Sequence, residues 1–98
     1  MVKRVAIKIG SNVLTLPEGG LDLSRIEKLV HQVSTLHKAG IEVILISSGA
    51  VAAGRAMLPD NKLDAVSARQ LFSAVGQAKL INHYYEFFKE QGIFCGQV

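Results

Sequence analysis

IEVILISSGAVAAG, residues Ile41–Gly54, decides how this chain folds. Apart from Glu42 its first half is apolar without alternation, and it stops abruptly at Ser47 and Ser48. No side chain after the serines is larger than Val51. An apolar run without alternation reads as a strand covered on both faces, the habit of parallel sheets. The small residues beyond it read as the start of a helix where something must come close to the main chain.

The pattern on either side agrees. VKRVAIKIG (Val2–Gly10) is β-branched-rich, with Val5, Ile7 and Ile9 on one face at period two. GSNVLTLPEGGL is a loop of about ten residues, longer than the usual strand-to-helix connection, and such loops are often functional. From Asp22 to Ala39, Leu23, Ile26, Leu29, Val30, Val33 and Leu36 recur at helical spacing. Ser24 with Glu27 forms a capping box, Asp22 competes as the cap, and Gly40 ends the helix. A short helix runs from Ser48 to about Leu58 and breaks at Pro59, with LPDNKLD as a turn. A long helix is expected from about Asp64 to Gln91, its stripe being Ala68, Leu71, Phe72, Val75, Ala78, Ile81, Tyr85 and Phe88, with Gly76 as a weak point. GIFCGQV then reads as a third strand. The order β-α-β-α-α-β implies an α/β fold, a parallel sheet with right-handed crossovers and helices on its faces. The last element has no closing turn, so the chain reads as the N-terminal part of a longer domain.

Composition narrows the class. Of 98 residues, 49% are hydrophobic and 19% charged, which describes a packed globular chain. The net charge of +3 is scattered, without a basic run or an aromatic-laced basic face, so no nucleic-acid contact is expected. Cys95 is the single cysteine, which excludes an intrachain disulfide and fits a reducing compartment. No apolar run approaches the ~20 residues of a membrane span. Lys8 and Gly10 break the N-terminal apolar stretch, so no secretory leader is expected. A soluble cytoplasmic protein follows as the expectation.

In an open parallel sheet, ligands bind beyond the carboxyl ends of the strands. Two such ends are visible: IKIGSN, with Lys8, Gly10 and Ser11, and SSGAVAAG, with Ser47, Ser48, Gly49 and Ala50. A helix N-terminus presents free N–H groups and partial positive charge to an anion, provided the backbone can be approached. Gly49 and Ala50 leave that approach clear. Ser48 either caps the helix or presents its hydroxyl to a ligand. Lys8 either is solvated or stands at the inner end of a buried strand and needs an anionic partner. The residues alone leave both choices open. GAVAAGRA matches the glycine spacing of a P-loop, but Arg55 and Ala56 stand where Lys and a hydroxyl residue are required, so the match is chance. His31, His37 and His83 have no metal-ligand spacing, and Asp60, Asp64 and Glu86 show no paired-carboxylate arrangement. Tyr84, Tyr85, Phe87 and Phe88 spread over more than one helix face, reading as core or as a contact surface.

Together VAIKIGSN, VILISSGAVAAGR and SARQLFSAVGQAKLI resemble the glutamate 5-kinases, a branch of the amino acid kinase family, over essentially the whole chain. The resemblance implies a three-layer αβα sandwich with a mainly parallel sheet, of which this chain is the N-terminal part. It implies transfer of the γ-phosphoryl group of ATP, with Mg²⁺, to the side-chain carboxylate of L-glutamate, the first step of proline biosynthesis. It implies ATP-phosphate contact by Lys8, with Gly10 and Ser11 at the turn beside the transferring group. Ser48, Gly49 and Ala50 would hold the glutamate, and a homo-oligomer is expected. Asn12 departs from the family pattern, which often has serine there. The second catalytic lysine and further glutamate-binding residues of the family fall beyond Val98, so this segment alone is expected to be inactive. The alternatives are another kinase of the family, such as an acetylglutamate kinase, and a non-catalytic small-molecule-binding module.

Overall fold

Strands β1 (Lys3–Ile9) and β2 (Ile41–Ser47) pair in parallel, in register from Lys3 opposite Ile41 to Ile9 opposite Ser47. These are the coordinates of a computed structural model that describes residues 3–10, 12–58 and 62–98. A parallel pair needs a crossover, and helix α1 (Leu23–Lys38) supplies it. Helices α2 (Ala50–Met57) and α3 (Ala65–Glu90) follow β2. The turn expected over LPDNKLD falls in part on residues 59–61, outside the described residues.

The capping contest at α1 is won by Asp22, whose Oδ1 accepts the Arg25 N–H at 3.1 Å. Ser24 lies inside the helix, two positions past the cap. At α3 Asp64 caps doubly, accepting from the Ser67 N–H at 2.9 Å and the Ser67 hydroxyl at 3.0 Å. The Ser67 main-chain hydrogen bond, then that of its hydroxyl, holds the Asp64 carboxyl below its ordinary range.

The core lies on one face of the sheet. Ile9, Ile26, Val30, Val33, Leu80, Tyr84 and Phe88 form it, with Ile7, Val43 and Leu45 packed against them. Leu14, from the loop after β1, is fully buried in the same cluster. That loop folds back on itself: Asp22 N–H reaches Leu14 C=O at 2.8 Å, Leu16 N–H reaches Gly20 C=O at 3.0 Å, and Thr15 bridges Leu21. The opposite face carries Arg4, Ala6 and Lys8 from β1 and Glu42, Ile44 and Ile46 from β2, and all are exposed. The expectation that β2 is covered on both faces therefore holds on one. Two of the three expected layers, sheet and helices, are present among the described residues; nothing there covers the second face, where Ile46 is 53% exposed.

Helix α3 corrects its expected stripe. The buried residues are Ala68, Phe72, Gly76, Leu80, Tyr84 and Phe88, every fourth position, whereas Ala78 and Tyr85 are exposed. A row at spacing four drifts about 40° per step around a 3.6-residue helix, or about 200° from Ala68 to Phe88. The helix uses that drift. Its first half faces α2, and its second half enters the core beside α1. A single averaged face is the wrong description of such a helix.

The expected third strand does not form. Residues 93–98 make no ladder with β2, although exposure alternates along Ile93–Gly96 as in a strand. Ile93 and Cys95 pack against the core while Phe94 is 91% exposed. The strand pattern is present, but a strand's hydrogen bonds belong to its partner, and the segment stands across a groove from the unpaired edge of β2.

Candidate functional site

The two strand ends meet. The Ser48 N–H donates to the carbonyl of Ile9, the last residue of β1, at 3.0 Å and carries the ladder one residue past the end of β2. Gly49 then turns the chain with φ +117°, a left-handed conformation that L side chains rarely adopt. Helix α2 begins at Ala50, and Gly49 caps it with its main chain only. The first hydrogen bond of the helix runs from the Ala53 N–H to the Gly49 C=O at 3.0 Å. The amides of Ala50, Val51 and Ala52 precede it and find no acceptor within the helix.

This resolves the choice at Ser48. It is not the helix cap. Its side chain is exposed, and its hydroxyl makes no hydrogen bond among the described residues. Lys8 lies opposite Ile46. Strand alternation therefore puts Lys8 and Ser48 on the same sheet face, one strand apart and two residues, about 7 Å, along. Lys8 is not at the end of a buried strand, as one reading had it; it stands on the open face, without an ion pair among the described residues. The acidic neighbour on that face, Glu42, pairs instead with Arg4 at 3.1 Å, at the far end of the strands.

Gly10 follows β1, and its carbonyl accepts the Val13 N–H at 3.1 Å. A Cβ at Gly10 would meet nothing within 4 Å, and its φ is not left-handed. Packing therefore does not require glycine there. Ser11 lies outside the described residues. Leu21, at the end of the folded loop, borders the turn from the other side: a Cβ on Gly49 would stand 3.7 Å from its Cδ2.

Behind the 47–50 segment the sequence concealed two supports. The Tyr84 and Ser47 hydroxyls are 2.7 Å apart, with Tyr84 only 5% exposed. Burial pushes the Tyr84 phenol up, and the Ser47 hydrogen bond opposes this in part. Gly76 sits against the first turn of α2, so that a Cβ there would collide with the Ala50 carbonyl and come within 2.6 Å of the Gly54 nitrogen. Gly54 in turn lies on the Phe72 main chain, where a Cβ would be 2.6 Å from the carbonyl carbon. The available signal was the spacing 72–76–80–84, which places a glycine where two helices touch.

The arrangement suits an anion: free amides, an exposed hydroxyl and a cation, with no carboxylate among the described residues paired into it. Among the described residues no three His, Cys, Asp or Glu groups gather to hold a metal ion. No described helix is long and apolar enough to cross a membrane. Cys95 is half-buried, and desolvation pushes its thiol up, away from nucleophilic use.

Comparison with known proteins gives the family. The profile of the amino acid kinase family matches residues 3–98. A glutamate 5-kinase of Bacteroides thetaiotaomicron is 62% identical over 96 residues, which covers 97% of this chain and 27% of that protein. A glutamate 5-kinase of Maridesulfovibrio salexigens is 48% identical, covering 98% of this chain and 26% of that protein. One from Symbiobacterium thermophilum is 47% identical, covering 98% and 37% respectively. The chain thus spans between about a quarter and rather more than a third of the length of these curated relatives.

Proposed function

The chain belongs to the amino acid kinase family, and from that premise we propose that it forms the acceptor-binding part of a glutamate 5-kinase. The reaction is transfer of the γ-phosphoryl group of ATP to the side-chain carboxylate of L-glutamate. A carboxylate oxygen forms the new P–O bond while the bond to the β–γ bridging oxygen breaks, and ADP leaves with that electron pair. The glutamate 5-kinases named above support the substrate. The observation that carries the reading is the Ser48–Ile9 hydrogen bond, because it fixes the free amides of α2 beside the end of the Lys8 strand.

Phosphoryl transfer demands little covalent work from a protein; positioning and charge stabilisation supply most of the rate. In this proposal the Ser48 hydroxyl and the amides from Gly49 onward hold a glutamate carboxylate. The left-handed Gly49 brings them to face it. The Lys8 ammonium faces the oxygens of the transferring group, and Gly10 with Ser11 lets that group approach the main chain. Mg²⁺ would neutralise phosphate charge, but the described residues gather no donor set for it, so no residue of this chain is assigned to it.

The test is a chimera in which this chain replaces the 96 matching residues of the B. thetaiotaomicron relative. Hydroxylamine traps an acyl phosphate as a hydroxamate. Hydroxamate that requires both glutamate and ATP is the expected result. A folded chimera that converts acetylglutamate but not glutamate, or neither, overturns the reading.

A further inference from the structure

We propose that Gly76 and Tyr84 of α3 are positioning residues for the anion-binding segment Ser47–Ala50, which they hold from behind at its two ends. The inference rests on the proposed role of that segment and adds the part of the fold that sets its geometry.

Tyr84 acts at the first end. The Ser47 hydroxyl donates to the Ser48 carbonyl at 3.3 Å. Its single proton is then committed, so the 2.7 Å contact with Tyr84 has the phenol as donor. The relay runs from Tyr84 O–H to Ser47 Oγ–H to Ser48 C=O. A peptide unit is planar and trans, so its C=O and the next N–H point in opposite directions. Tethering the Ser48 carbonyl therefore sets the direction of the Gly49 N–H.

Gly76 acts at the second end. Its Cα rests over Ala50 C=O and Gly54 N, the carbonyl and amide one helical turn apart at the start of α2. A methyl group there would wedge into that turn. The atoms in its way are main chain, so no rotamer change relieves it, and the start of α2 has to move. Gly76 and Tyr84 lie on the same four-residue row of α3, about 12 Å apart along its axis. That is close to the reach of the segment they hold, so one rigid helix fixes both ends.

The variants are made in the active chimera described above and compared with Val30→Ala. Val30 is buried in the core on α1, away from α2, and its truncation reports what loss of stability alone does to turnover. A displacement of about 1 Å at a reacting site can cost ~10²-fold, and Gly76→Ala is expected to lower kcat/KM for glutamate by that order. The loss should appear in KM for glutamate, with KM for ATP within about twofold of the parent if the phosphate side is undisturbed. Tyr84→Phe keeps the shape and removes the donor; a several-fold rise in KM for glutamate alone is expected. Equal rises for glutamate and ATP, or the profile of Val30→Ala, overturn the proposal. Should Gly76→Ala fail to fold, Tyr84→Phe decides, and an unchanged KM for glutamate overturns it. An inactive parent chimera would instead count against the proposed function, so the two failures are distinguishable.

Discussion

Ile9, the last paired residue of β1, and Ser48, the residue after β2, are joined by a 3.0 Å hydrogen bond. It converts two strand ends, far apart in sequence, into one fixed corner. Lys8 lies one residue before the first partner, and the free amides of α2 begin two residues after the second. The separation between cation and amides is thus set by strand geometry and needs no side-chain contact to maintain it.

Lys8→Ala separates charge from fold. Lys8 is exposed and has no ion pair among the described residues, so the unfolding free energy of the chimera should stay within the ~0.5 kcal/mol expected of an ordinary surface change. Loss of a charge partner of the transition state should lower kcat by ~10²-fold or more. Turnover equal to the parent's would remove Lys8 from the mechanism.

Gly10→Ala makes the same separation without a charge. Nothing lies within 4 Å of the added methyl, and the backbone there is not left-handed, so stability should hold or rise by about 0.4–1 kcal/mol through the unfolded chain. If a phosphoryl group approaches this main chain, KM for ATP should rise several-fold. A variant that is more stable and fully active would show that the glycine is not needed by any ligand.

The sequence exposes local order better than long-range contact. The α1 and β2 segments were legible because their periodicities are strong and their ends are marked by Asp22, Gly40 and the serine pair. Leu14 was not, since one leucine in a Gly- and Pro-containing loop carries no period; only the folded-back hairpin shows that it is a core residue. The third strand was misjudged for the complementary reason: alternation in Ile93–Gly96 is local, whereas a ladder requires a neighbour. Gly76 read as a flaw in a helix because its use lies entirely in what touches it. The corner formed by Lys8, Ser48 and Gly49 could be anticipated because parallel strands place their carboxyl ends together. The tether from Tyr84 could not, as no spacing connects residues 47 and 84.

Leu14→Ala tests the hairpin as part of the core. Leu14 is fully buried among Ile9, Ile26 and Val30, and truncation of such a leucine costs about 2–5 kcal/mol. The denaturant midpoint of the chimera should fall accordingly, and the loop between Gly10 and Asp22 should become more open to proteolysis. A change below about 1 kcal/mol would mean the site collapses around the smaller side chain or that the loop is not anchored there.

His83 should make stability depend on pH. Partial burial is the main cause that lowers its pKa from 6.5, with the Lys79 charge one turn away acting in the same direction. Its ring stacks on Phe87, with centroids 6.5 Å apart. Because the folded value is the lower one, the unfolded chain binds the proton first as pH falls. The stability that His83 contributes is then complete above 6.5 and declines below it, until the pH passes the depressed folded value. Denaturant midpoints measured between pH 7.5 and pH 5 should fall less for His83→Gln than for the parent, and the difference between the two proteins removes the contribution of every other titrating group. Parallel curves would mean that the imidazole is as well solvated in the folded protein as in the unfolded chain.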